Sequence, residues 1–396
     1  MIYITGAGVV SAIGIGKAET LASLKAEKTG IGPMKYLSSH HRDLPVGEVK
    51  LSNAQMAAML GVPLDITLTR TALLGRLALR EALQEASLPK PLLRSVPFIS
   101  STTVGGIDRR ELFHAQERHC DTTHAHIATH HCSDCTAMIA SHFGTFASLS
   151  TVSTACSSAT NAIITGANML SCGMADIVVV GGAESLSMFH LNGFNALMIL
   201  DRQQCRPFDR HRAGLNLGEG AAYLVLETPA SVGRRGVTPI GQLDGYGNAC
   251  DAYHQTASSP EGDGAYLAMR EALTMAGLAP GDIHYINAHG TGTPNNDASE
   301  SRALRRLFAD SLPPVSSTKS FTGHTTSASG SIEAVVCLLA LQHQFLPVNV
   351  NWQSPMDGGI LPVTHAHPVT PLSHVLSNAF GFGGNDSSII LSKHTS

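Results

Sequence analysis

No apolar run in the 396-residue sequence approaches the roughly 18 residues of a membrane-spanning helix, so no membrane span is expected. VVCLLAL, just after Glu333, is among the longest. Charge of one sign is also scarce. Lys and Arg number 26 against 30 Asp and Glu, a net −4, so no basic field recruits nucleic acid or anionic lipid. The eight cysteines lack the spacing of a disulfide scaffold and point to a reduced, cytoplasmic chain. MIYITGAGVV has neither a basic region nor a small-residue cleavage site, so no secretory leader is expected. Low-complexity linkers and repeats of 20–50 residues are absent too.

What is present is apolar and glycine-rich: 43% hydrophobic residues and 38 glycines. The length suggests roughly two to three domain-sized units. Short apolar runs alternate with helical ones, which predicts an α/β protein. Strands, several running into glycines, are expected in MIYITGAGVV, SVPFISSTTVGG, ADIVVVGGAES, AAYLVLE, TPIGQLDGYGNA, DIHYINAHGTGTP and LSNAFGFGG. Helices are expected in TRTALLGRLALREALQEASL, SSATNAIITGANMLSCG, GAYLAMREALTMAGL and SIEAVVCLLALQHQF, where apolar residues recur at three and four. A duplicated α/β unit is expected, with halves 1–235 and 236–396 meeting near TPASVGRRGVTP. The early TGAG is not a dinucleotide fingerprint: three residues after Gly8 stands Ser11, and no acidic residue follows at the required distance.

STACSSA places Cys156 between a β-leaning run and a helix. An isolated cysteine is more often a small buried hydrophobe. This one sits at a helix start, where an anion is favoured, and a lowered thiol pKa is the expectation. Two of the twenty histidines, His289 in NAHGTGTP and His324 in STKSFTGH, stand among Gly, Ser and Thr at element ends, where backbone approaches a ligand closely. One thiolate and two neutral imidazoles suit acyl transfer followed by enolate attack.

Taken in order, STACSSA, VVGGAES, CRPFD…GLNLGEGAA, DAYHQTASSP, NAHGTGTPNND, STKSFTGH and NAFGFGG resemble the β-ketoacyl–acyl carrier protein synthases, the elongating Cys-His-His class of the thiolase superfamily. The resemblance implies a thiolase-like five-layer αβαβα fold and a decarboxylative Claisen condensation that lengthens an acyl chain by two carbons. It implies that Cys156 holds the acyl group, that His289 and His324 assist malonyl decarboxylation, and that Lys319 and Glu333 support them. Thr291 and Thr293 fall where the family holds phosphopantetheine. Phe382 matches the gating phenylalanine, whose N–H joins that of Cys156 in the oxyanion hole; Asp251 and His254 are supporting candidates. No dissociable cofactor and no metal are implied, since phosphopantetheine belongs to the acyl carrier protein. The implied assembly is a homodimer, or a heterodimer with a chain-length-factor-like subunit. Two other readings fit less well. A non-catalytic chain-length factor lacks the nucleophile, and a thiolase or starter-unit enzyme using acyl-coenzyme A builds its site as Cys-His-Cys or Cys-His-Asn.

The chain also departs from the family. HTTSASGSIEA puts hydroxyls where the family has apolar residues, so they either make the pocket wall polar or satisfy helix-start N–H groups. FGFGGND lacks the usual Thr-Asn pair. Met198 stands where an arginine often faces the carrier, although Arg202, Arg206, Arg210 and Arg212 form a local basic cluster. The segment from His114 to Gly144 holds seven histidines and three cysteines, including the CxxC of Cys132 and Cys135. Cys135, Ile139 and His142 recur at helical spacing, which favours a packed helix over a zinc site. Several of these blocks resemble synthases of aryl polyene or flexirubin pigments, with fatty-acid elongation as the other pathway.

Overall fold

The computed structural model describes residues 1–65, 67–113, 131–365 and 371–394. The part of the His/Cys-rich segment at 114–130 lies outside the described residues. Among them, one sheet contains β1 (Ile2–Ser11), β2 (Gly14–Ile15), β3 (Pro97–Ser101), β4 (Ser148–Val152), β5 (Ile177–Glu184), β6 (Gly220–Glu227), β7 (Gly241–Cys250), β8 (Tyr285–Asn287), β9 (Val315–Ser316), β10 (His374–Gly381) and β11 (Asn385–Ser392). Their order is β4-β3-β5-β6-β1-β7-β11-β10-β8-β9, with β2 folded back on β1. Either side of the antiparallel seam between β1 and β7, the order is the same: first strand, fifth, fourth, second, third. The strand order therefore repeats on the two sides of the seam, before and after the chain passes residue 235. There the expected linker is a short helix, Pro229–Arg235, capped by Thr228 and closed by left-handed Gly236.

The repeat extends to packing. A Cβ on Gly6 or Gly8 of β1 would lie 2.3 or 2.1 Å from the carbonyls of Ala82 and Ala78 in the helix Arg70–Glu85. A Cβ on Gly245 or Gly247 of β7 would lie 2.2 Å from those of Ala272 and Ala268 in the helix Asp263–Ala276. The two GxG pairs therefore let a helix lie directly on each half's first strand. These helices form the outer layers. Between the halves lie the helices Ser158–Ser171 and Ser329–His343, packed on each other and on strands of both halves. The second is buried without interruption from Ser329 to Leu341, as expected of a helix apolar all round. The result is the five-layer αβαβα arrangement.

The strands and helices expected from the sequence are all present. β11 was not anticipated because NDSSIILS begins polar; its Ser387 and Ser388 are buried and hydrogen-bonded to Asn161 and Asn378. In the described part of the His/Cys-rich segment, Cys132–Ser141 is a helix whose Cys135 and Ile139 are buried. Cys135 Sγ faces Thr69 Oγ1 at 3.6 Å, and Cys132 Sγ faces the Thr103 carbonyl at 3.6 Å.

Arg70 ties the outer helix to the loop preceding β6. Its Nε and Nη2 reach Glu219 at 2.6–3.0 Å, and its remaining donors reach Val49 O, Leu51 O and Asn53 Oδ1. Breaking one side of a buried pair leaves an uncompensated charge, so Arg70→Ala is expected to cost about 3–5 kcal/mol. Chemical denaturation checks this; a midpoint unchanged from the parent would contradict it.

Candidate active site

Cys156 occupies a strained corner between β4 and the helix Ser158–Ser171. Ala155, just before it, holds φ at +53°, a left-handed conformation rarely taken by a residue with a Cβ. The second half fixes this corner. Asn385 Oδ1 accepts from Ser157 Oγ at 2.8 Å, Asn161 Nδ2 at 2.6 Å and Asn248 Nδ2 at 3.1 Å. The departure from the family at FGFGGND is therefore a cross-half clamp on the nucleophile corner.

His289 follows β8. Its backbone N–H and that of Gly290 donate to Glu300 at 2.9 and 2.8 Å, and Asn378 Nδ2 adds a third bond at 3.1 Å. Three residues earlier on the helix Pro294–Phe308, Asp297 accepts from the N–H groups of Phe208 and Gly292. His324 follows the short helix Lys319–Thr322. Its N–H donates to Asn216 O at 2.7 Å, and its carbonyl accepts from Gly218 N at 2.9 Å.

These loops bring the candidate residues into one chain of contacts. His324 Nε2 lies 3.0 Å from Cys156 Sγ, and the two imidazole rings meet edge to face at 5.3 Å. Lys319 Nζ lies 3.2 Å from His289 Nδ1 and 2.5 Å from Glu333 Oε1. An ammonium only donates, so His289 Nδ1 accepts and the neutral ring carries its proton on Nε2. Burial, reinforced by the Lys319 charge, holds both histidines well below their ordinary pKa. Both rings are neutral at physiological pH.

The thiol corrects the expectation from its helix-start position. Burial pushes Cys156 up to about 11, despite the opposing Lys319 charge and the N–H groups of Phe382 and Cys156 directed at the sulfur. Desolvation outweighs the helix start, so the resting sulfur is a protonated thiol beside an acceptor imidazole.

A cavity of about 290 Å³ opens onto Cys156, His289 and His324, with Phe194, Leu197 and Phe382 on its apolar side. Phe194 and Phe382 stack at 5.7 Å. Thr291 and Thr293 line the same cavity, their hydroxyls 2.9 Å apart. Asp251 and His254 do not line it. Asp251 accepts from Ser259 N and Gly264 N, and His254 Nδ1 from Thr256 N and Ala257 N, so they shape the loop whose residues 256–258 form one wall. The donor atoms of Cys156, His289 and His324 lie within 4.8 Å of one another, a geometry that could also hold a metal ion. The Lys319 ammonium makes the site electropositive, which suits a developing oxyanion better than a divalent cation.

Two further expectations change. All four arginines of the supposed basic cluster face carboxylates: Arg202 faces Asp43, Arg206 Asp201, Arg210 Asp357 and Arg212 Asp297. The hydroxyls of HTTSASGSIEA satisfy no helix start as N-caps. Ser327 and Ser329 donate to the buried carboxylates of Glu184 and Glu333. Sequence reasoning missed Glu300, Asp297 and Asn385. The one available signal was a pair of acids three apart on a helix just after NAHGTGTP.

Family models for the β-ketoacyl synthase N-terminal and C-terminal domains match residues 1–231 and 240–353. A 3-oxoacyl-[acyl-carrier-protein] synthase 2 of Vibrio cholerae is 37% identical over 254 residues, 61% of this chain and 61% of that enzyme. Nodulation protein E of Rhizobium meliloti is 31% identical over 97% of both chains. Among solved structures, the ishigamide ketosynthase/chain length factor superposes with TM-score 0.92 at 30% identity, covering 100% of this chain and 99% of that one. The ketosynthase ApeO in complex with its chain length factor ApeC, from Xenorhabdus doucetiae, gives 0.85 at 31% identity, covering 99% and 98%.

The raised thiol has a kinetic consequence. Alkylation of Cys156 by iodoacetamide is expected to climb with pH toward about 11. Lys319→Met removes the nearby cation and should push the profile up by about one to three units. A rate that plateaus near neutrality in the parent would contradict the burial argument.

Proposed function

The chain belongs to the β-ketoacyl synthase family, and on that footing we propose that it condenses an acyl group held on Cys156 with a malonyl thioester. The product is a 3-oxoacyl thioester two carbons longer. The observation that carries this reading is that Cys156, His324 and His289 line one cavity in mutual contact, with Lys319 and Glu333 buried behind His289.

In the first stage Sγ attacks the carbonyl of an acyl thioester, its proton passing to His324 Nε2 and on to the departing thiolate. The oxygen of the tetrahedral intermediate accepts from the N–H groups of Cys156 and Phe382. In the second stage the malonyl thioester loses carbon dioxide, and the enolate oxygen accepts from His289 Nε2–H, with His324 as second donor once its ring proton has moved from Nδ1 to Nε2. The enolate carbon then attacks the acyl-cysteine carbonyl, the C–S bond breaks, and the departing Cys156 thiolate takes a proton from water to return the resting thiol. Neutral imidazoles suit this task, because an imidazolium beside the Lys319 ammonium would carry a like charge.

The substrate arm is read as the phosphopantetheine of an acyl carrier protein, with Thr291 and Thr293 along its path and no dissociable cofactor. The presence of Cys156 against His324 supports a catalytic subunit over a chain-length factor. The outer strand β4 ends the sheet with Ser148–Ser150 exposed, which supports pairing with a second subunit through that edge. Full-length similarity to two ketosynthase–chain length factor assemblies favours a polyketide or polyene product over housekeeping fatty acids, and a heterodimer as the alternative to a homodimer. No helix among the described residues is long and apolar enough to cross a membrane, and we place the enzyme in the cytoplasm.

The two stages separate by mutation. His289→Ala is expected to slow malonyl decarboxylation by about 10²–10³-fold, the cost of losing one oxyanion donor. Acylation of Cys156, followed by intact mass, should change far less. Equal loss of both steps would contradict the assigned division of labour.

A further inference from the structure

The turn that carries His324 holds backbone strain. Thr326, two residues on, has φ at +47°, an outlier for a β-branched side chain and a conformation that must be held by its surroundings. The group holding it is Glu184, at the end of β5 and fully buried. Its carboxylate accepts from Ser327 Oγ at 2.6 Å, Thr326 Oγ1 at 3.4 Å, Thr102 Oγ1 at 2.6 Å, Thr103 N at 2.7 Å and Thr103 Oγ1. Five donors fill the roughly four lone-pair sites of a carboxylate. Ser101 Oγ adds a bond to the Ser327 carbonyl at 3.0 Å, fastening the same turn to the end of β3.

The network also reaches a third buried histidine. Thr103 gives its hydroxyl proton to Glu184, so at His190 Nε2, 3.3 Å away, it accepts. His190 Nδ1 faces Ser187 Oγ at 3.2 Å, which completes the ring's hydrogen bonding. Burial holds His190 below its ordinary pKa, so the ring is neutral and fixed within this network.

We propose that Glu184, acting through the hydroxyl of Ser327, is a positioning residue that clamps the strained turn at Thr326 and so holds His324 Nε2 against Cys156. The hydroxyl-rich stretch after His324 is then part of this enzyme's catalytic geometry. Ser327 supplies the clamp, and Glu184 is a preorganised acceptor that never meets the substrate. The inference rests on the condensation reading for the substrate but not for the geometry.

The test uses Ser327→Ala in the full chain, with Glu184→Gln as the harsher variant and Thr326→Gly as the relief of strain. Two readouts are followed: condensation kinetics with acyl- and malonyl-pantetheine thioesters, and the rate of Cys156 alkylation by iodoacetamide at pH 8. In Ser327→Ala, kcat is expected to fall about tenfold or more with KM little changed, the cost of a small misplacement of a catalytic group. Alkylation should slow in parallel. Glycine adopts φ of +47° without strain, so Thr326→Gly added to Ser327→Ala should restore most of both losses. A Ser327→Ala protein within about twofold of the parent in both readouts, or a loss that Thr326→Gly leaves unrestored, would overturn the clamp. If the parent condenses no thioester, the condensation reading fails, and the alkylation contrast still decides the clamp.

Discussion

The buried ion pair between Lys319 and Glu333 is the interaction on which the site depends. Both side chains are essentially inaccessible, at 1% and 4% exposure, and such a pair costs heavily in desolvation. It is therefore weak as a source of stability and strong as a source of specificity. Lys319 has only hydrogen atoms to offer. It fixes the His289 tautomer, adds a positive field to the cavity floor and keeps both imidazoles neutral. Glu333 keeps the lysine from leaving. Its helix, Ser329–His343, is the apolar centre of the molecule, so the pair sits where water cannot compete.

Around that pair the fold uses buried carboxylates to collect backbone and hydroxyl donors. Glu300 gathers the N–H groups at His289 and Gly290, and Asp297 those at Phe208 and Gly292. Glu219 gathers Arg70 together with the N–H groups of Val49 and Leu186. Desolvation raises Glu300 to about 7, which measures how strongly burial works against its charge. Each acid pins a loop to a rigid element. Three loops from two halves can therefore meet at one thiol within hydrogen-bonding distance.

Much of this was legible in the sequence. Alternating apolar strands and amphipathic helices gave the α/β class, and STACSSA, NAHGTGTP and STKSFTGH pointed to Cys156, His289, Lys319 and His324. The spacing of Gly6 and Gly8 was legible only as the absence of a nucleotide site; that they admit a helix to the strand needs the packing. Asn385 was invisible because its partner Ser157 lies 228 residues away and no local pattern marks such a bond, whereas Glu300 left only the weak signal of an acid three residues after Asp297. The thiol pKa was misjudged for a related reason. A helix start can be read locally, whereas the burial that overrides it is set by the whole fold. The arginines between Arg202 and Arg212 looked like a basic patch because Asp43, Asp297 and Asp357 are distant in sequence.

The central claim is that Cys156 carries an acyl group that a malonyl-derived enolate then removes. Intact-mass spectrometry tests it most directly, with acyl carrier proteins bearing saturated, polyunsaturated and aryl-primed chains, a malonyl-carrier chase and Cys156→Ala as the control. The expected result is an adduct that is absent in Cys156→Ala, disappears on the chase and yields a carrier-bound product two carbons longer. An adduct that persists through the chase, or one retained in Cys156→Ala, would contradict the claim.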